Sequence, residues 1–81
     1  MIISLSELQV GDQAIIINVE VGSYASYRQK LLSFGIVPGA KIHIIRVAPL
    51  GDPLEVALNF GISISLRRAE GNIIQVKKIT K

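Results

Sequence analysis

The stretch from Ala48 to Arg67, APLGDPLEVALNFGISISLR, decides how this chain folds. From Leu54 onward the apolar residues take alternate positions, with Leu54, Val56, Leu58 and Phe60 on one side and Glu55, Ala57 and Asn59 on the other. Beyond Gly61 the alternation resumes, Ile62, Ile64 and Leu66 against Ser63, Ser65 and Arg67. A period of two marks a strand with one face in the core and one in water, and a glycine between two such runs makes them a hairpin. Ahead of it, Ala48-Pro49-Leu50-Gly51 suits a type I turn, and Asp52 is placed to bond its own backbone before Pro53 fixes a second dihedral. The hairpin is therefore entered through a stiff connection.

Working toward the N-terminus, Val37-Pro38-Gly39-Ala40 carries Pro and Gly at the two central positions of a type II turn and feeds a strand from Lys41 to Ala48. Before that turn lies the one helical candidate. Ser23 is its N-cap, Tyr24, Tyr27, Arg28, Leu31 and Leu32 form its stripe, and Gln29, Lys30 and Ser33 fall opposite. Gly35 suits the left-handed residue after the last turn, and Pro38 follows where a helix cannot continue, so the helix ends near Phe34. Gln13 to Val21 contains Ile15-Ile16-Ile17, apolar on both faces, which predicts a central strand without a solvent side. Ser4-Leu5-Ser6-Glu7 fits a capping box around one helical turn. At the other end, Asn72 to Ile79 turns Ile74 and Val76 one way and Gln75 and Lys77 the other.

The elements expected are five strands and one helix after the first strand: a mainly β chain of 81 residues forming a single domain over 1–81. So few residues cannot build two full sheets, and a strongly curved barrel is the arrangement that hides its edges. A five-stranded SH3-like barrel fits; an OB-fold places its helix after the third strand. Composition agrees, because 49% of the residues are hydrophobic and Ile, Val and Leu make up 29 of 81. With mean hydropathy of +0.47, disorder is excluded. The absence of Cys rules out disulfides, thiolate metal sites and a thiol nucleophile. No apolar run reaches the roughly 18 residues of a membrane span, and no signal peptide is apparent at the N-terminus; a cytoplasmic protein is expected.

The formal charge of +3 is local. Residues 1–66 hold four bases and five acids, whereas 67–81 hold Arg67, Arg68, Lys77, Lys78 and Lys81 against Glu70 alone. Such a stripe suits either a solvated outer face or an acidic or phosphate-bearing partner. The chain lacks the convergent titratable groups of an enzyme, and its seven glycines thread neither a Walker pattern nor G-x-G-x-x-G. His43 is the one imidazole, out of phase with Ile42 and Ile44, and reads as an outward strand residue rather than a metal ligand, since a transition-metal site needs three or four donors. No cofactor and no metal are expected. Tyr24, Tyr27, Phe34 and Phe60 read as core and helix packing.

Taken together, Leu31-Leu32-Ser33-Phe34-Gly35-Ile36-Val37-Pro38-Gly39, Ala48-Pro49-Leu50-Gly51-Asp52-Pro53, Leu66-Arg67-Arg68 and Ile74 with Val76 resemble, in order and spacing, the pattern of the FeoA family, ferrous iron transport protein A. Leu5, Leu8, Gly11 and the strand to Val19 match as well, so the likeness covers nearly the whole chain. Two departures are Lys30, where the family often has Arg, and Gly71, where it often has Ala; the second loosens the bend before the last strand. The resemblance implies a free-standing cytoplasmic SH3-like barrel that acts on FeoB, the membrane ferrous iron transporter with a cytosolic GTP-binding part. It would be an accessory module without enzymatic activity, and without direct membrane insertion. Self-association stays open. The surface features expected to meet a partner are the helix side with Tyr24 and Arg28, the turn with Leu50, Gly51 and Asp52, and the corner at Arg67 and Arg68, where planar guanidinium forks could pair with acids. Two alternatives are a nucleic-acid-binding barrel, suggested by a pI near 9.6, and an SH3-like domain related to metal-dependent repressors. Against the first, the basic face lacks interleaved aromatics, and no nucleic-acid partner is expected.

Overall fold

A computed structural model describes residues 1–20, 25–58 and 61–79, with only the backbone described for 25–28. The elements are β1 (Ile2–Ser4), a 310 turn (Leu5–Glu7), β2 (Gln13–Val19), α1 (Ala25–Ser33), β3 (Lys41–Val47), β4 (Leu54–Leu58), β5 (Ser63–Leu66), α2 (Arg68–Gly71) and β6 (Ile74–Ile79). All strand pairs are antiparallel, and the sheet runs β1-β6-β2-β3-β4-β5.

The hairpin predicted from the alternation is β4 with β5, Leu54 opposite Leu66 and Val56 opposite Ile64. The strand expected to reach Phe60 is described as far as Leu58, residues 59 and 60 lying outside the described set. Strand number is a correction, six rather than five. Ile2 and Ile3 pair with Lys77 and Val76 of β6, and three residues are too few for a period to show in the sequence. The helix consequently follows the second strand. A further correction is α2, where the sequence reading had only a bend between Arg67 and the last strand: the Arg67 N–H donates to Glu70 Oε1 at 3.0 Å, so the acid three residues on turns the chain into a helical turn.

Turn chemistry holds where a glycine demands it. At the exit of α1, the Ile36 N–H donates to the Leu31 carbonyl and the Gly35 N–H to the Leu32 carbonyl, the paired bonds of a Schellman motif. Gly35 has φ +91° there, and Leu31 and Ile36 are both fully buried. In the next turn Gly39 has φ +92°, and Ala40 N–H reaches the Val37 carbonyl at 3.0 Å, as a type II turn requires. The N-cap expected at Ser23 lies outside the described residues. At the N-terminus, the Glu7 carboxylate accepts from both the Ser4 N–H (2.9 Å) and the Ser4 hydroxyl (3.2 Å).

The core draws on β2 through β6, with Ile16, Ile42, Ile44, Leu54, Val56 and Ile74 among its fully buried side chains. Each contributes about 1.5–3 kcal/mol relative to exposure. β2 is central, between β6 and β3, but it is not buried on both faces. A bulge between Ile16 and Asn18 leaves Ile17 outward and brings Val19 back into the core. Gly71 is a place of close approach rather than a loose bend, since a β-carbon there would lie 3.3 Å from the Ser6 backbone nitrogen. The 310 turn and α2 pack against each other through this point.

Candidate interaction surface

The turn between β3 and β4 is held by several bonds at the surface. Gly51 N–H closes it onto the Ala48 carbonyl at 2.7 Å, and Ala48 N–H reaches the Pro53 carbonyl at 3.1 Å. Pro49 and Pro53 each fix a backbone dihedral, and the Asp52–Pro53 peptide is cis. Asp52 does not bond its own backbone as the local sequence suggests; its Oδ1 accepts the Arg68 N–H at 3.0 Å, from α2. Arg68 completes the tie. Its Nε donates to the Gly51 carbonyl and its Nη1 to the Ser6 carbonyl at 2.6 Å, so one guanidinium joins the turn, α2 and the N-terminal 310 turn.

That arrangement divides the two arginines. Arg67 is exposed, whereas Arg68 is half-buried with its fork turned toward backbone carbonyls of its own chain. Leu50 stands at the tip of the turn with 96% of its surface exposed. Of the other residues expected at a partner face, Tyr24 and the Arg28 side chain lie outside the described residues.

Several of the charges are paired within the chain. Arg46 donates from Nε and Nη2 to Glu55 Oε2, at 3.1 and 2.8 Å. Lys78 lies 3.4 Å from Asp12 Oδ1, and the Gln9 N–H donates to Asp12 Oδ2 at 2.7 Å. The Gln9 hydrogen bond holds the Asp12 carboxyl below the ordinary carboxylate range against the opposing effect of desolvation, and the Lys78 charge adds to the lowering. Lys30, on α1, reaches Glu70 Oε2 at 3.2 Å. Glu70 is the one buried charged residue among those described, and this oxygen has no hydrogen bond of good geometry, so Lys30 is its sole charge partner among them.

His43 is exposed on the outer face of β3, opposite Gln13 and Ala57. Among the described residues no group of three or more His, Cys, Asp or Glu converges in a way that could hold a metal ion. The sequence reading missed one feature, an open apolar groove of about 520 Å³ lined in part by Phe34, Val37, Pro38, Leu58 and Ile62. Phe34 was expected in the core, but it is 40% exposed, because the Schellman exit turns the chain at Gly35 and leaves Phe34 on the groove wall. Tyr27 and Phe60 side chains fall outside the described residues. The available signal was Phe34 and Val37 beside Gly35 and Gly39, apolar residues without a period; Ile62, placed by the alternation on the core face, is instead 55% exposed because β5 begins only at Ser63.

A six-stranded antiparallel sheet, curved over one core with its short helices at the connections, is the architecture of a small SH3-like protein. A family model described as "FeoA domain" matches residues 3–78, and the chain belongs to that family. A curated relative in Porphyromonas gingivalis, an Fe(2+) transport protein A/Fe(2+) transporter FeoB fusion protein, is 38% identical over 76 residues, which are 94% of this chain and 9% of that protein. Among solved structures, FeoA protein from Chlorobium tepidum is 40% identical, with a TM-score of 0.85 over 96% of this chain and 71% of that one. The zinc complex of Stenotrophomonas maltophilia FeoA, described as a prokaryotic SH3 domain protein, is 26% identical with a TM-score of 0.80, covering 93% and 89%. Among the described residues no helix is long and apolar enough to cross a membrane.

Proposed function

We propose that this chain is a cytoplasmic, non-catalytic accessory module of ferrous iron uptake that binds the cytosolic GTP-binding part of a FeoB-type transporter. The family match and the fused relative support a role in ferrous iron transport. The observation that carries the finer reading is the fusion: in P. gingivalis a domain 38% identical to this one is covalently tied to the transporter. A tether keeps two partners at an effective concentration near the millimolar range, which makes a modest contact sufficient.

Nucleic acid is the less favoured partner. Of the C-terminal bases, Arg68 faces carbonyls and Lys78 an acid of their own chain, so neither offers its charge freely to a phosphate. The test is recovery of the purified chain by the soluble cytosolic portion of a FeoB-type transporter, beside a fluorescence-anisotropy titration with random-sequence duplex DNA at the same ionic strength. Transporter binding without DNA binding is expected. Micromolar DNA binding with no transporter recovered would overturn the reading.

A further inference from the structure

The turn between β3 and β4 has more restraint than a connection needs and presents an apolar tip. A lone exposed leucine is ordinary on a protein surface. Leu50 differs in what surrounds it. Two prolines flank its turn, two backbone bonds close it, and Arg68 holds it from below through the Gly51 carbonyl while Asp52 is held by the Arg68 N–H. Leu50 itself touches almost nothing, being 96% exposed. The restraint therefore gains no burial for Leu50 within this chain.

The nearby charges give the partner's chemistry. Arg68 faces carbonyls, Arg46 is paired with Glu55, and the Asp52 carboxylate is engaged by an N–H of α2. Arg67 is the exposed cation at this corner. A tip of this kind has little to offer an acidic surface and much to offer an apolar cavity. A side chain carried on a backbone that is already held loses less entropy when it docks, and a few buried anchors carry most of the energy of an interface.

From this geometry we infer that Leu50 is the anchor by which the chain docks, inserting into an uncharged apolar socket on the cytosolic part of the transporter, and that Arg68 is a positioning residue acting through Leu50. The inference rests on the transporter reading above and deepens it. Contact of this type is governed by burial of the leucine, so its affinity changes little with salt.

The experiment is a calorimetric or anisotropy titration of the soluble cytosolic portion of a FeoB-type transporter, loaded with GDP or a GTP analogue, against five proteins: wild type, Leu50→Ser, Arg68→Gln, the double variant and Arg67→Glu. Leu50→Ser should leave the thermal midpoint unchanged and weaken binding about 10- to 100-fold, the loss expected for one buried leucine. Arg68→Gln should weaken binding several-fold in the wild-type background and have no further effect once Leu50 is Ser, a non-additivity that general destabilisation would not produce. Arg67→Glu should matter less than Leu50→Ser. Wild-type binding with full affinity in Leu50→Ser would overturn the anchor and leave the transporter reading standing. Additive effects of Leu50→Ser and Arg68→Gln would overturn the positioning role. Absence of wild-type binding in both nucleotide states would overturn the transporter reading and the anchor with it.

Discussion

Replacing Gly39 by Ala tests the turn that hands the chain from α1 to β3. Gly39 has φ +92°, and a β-carbon added there would meet no atom within 4 Å. The cost is therefore one of backbone conformation, free of any steric clash with the rest of the protein. Holding an L-residue in the left-handed region costs about 1–2 kcal/mol, with the smaller loss of unfolded-state freedom offsetting part of it. The chain cannot escape by flipping the turn, because the Gly39 N–H donates to the Ile16 carbonyl at 2.7 Å and the Ala40 carbonyl accepts the Ile16 N–H at 2.9 Å. Both bonds tie the turn to β2, and relaxing φ would cost at least one of them. For a domain of this size, a loss of about 1–2 kcal/mol lowers the melting temperature by about 5–12 °C. Urea denaturation followed by circular dichroism should show a lower midpoint with an unchanged slope. Gly39→Asn should fall between wild type and Gly39→Ala, since Asn tolerates positive φ better than other side chains. A midpoint for Gly39→Ala equal to wild type would refute the type II assignment and the backbone argument with it.

Acid titration of stability should report on Asp12. Its pKa is lower in the folded protein than in the unfolded chain, so it contributes stability above the unfolded value and loses it as pH falls through the folded one. Asp12→Asn should therefore be less stable than wild type at neutral pH and converge with it in strong acid, as read by denaturant midpoints across pH 2–7. Lys30→Met should destabilise by about 1–2 kcal/mol, because it leaves the Glu70 charge without its cation, the usual cost of breaking a buried pair being reduced by the exposure of the lysine. Adding Glu70→Gln to that variant should restore part of the loss, since an amide oxygen can still accept the Arg67 N–H; no recovery in thermal melts would show that the buried charge is not the cause.

The order of the strands from Gln13 onward, the hairpin, the position of the helix end and both glycine turns were legible in sequence because each depends on local chemistry. Alternation specifies the buried face at Leu54, Val56 and Leu66, though not at Ile62 ahead of β5, and Gly35 and Gly39 supply dihedrals that other residues resist. Leu50, Gly51 and Asp52 could likewise be picked out as a stiff exposed turn from Pro49 and Pro53 alone. What the local pattern could not contain was anything that needed a distant partner. Ile2 and Ile3 form a strand because β6 lies beside them, more than 70 residues away along the chain, and no period exists in three residues. The bulge that sends Ile17 outward is a register effect between two strands. The role of Arg68 is the clearest case. By composition it belongs to a basic C-terminal run, equal to Arg67 beside it, yet the fold brings the Gly51 and Ser6 carbonyls to its guanidinium from 17 and 62 residues away. A side chain of that length meets whatever the tertiary structure sets within its reach, so its identity is written in the sequence while its partners are decided only when the chain closes on itself.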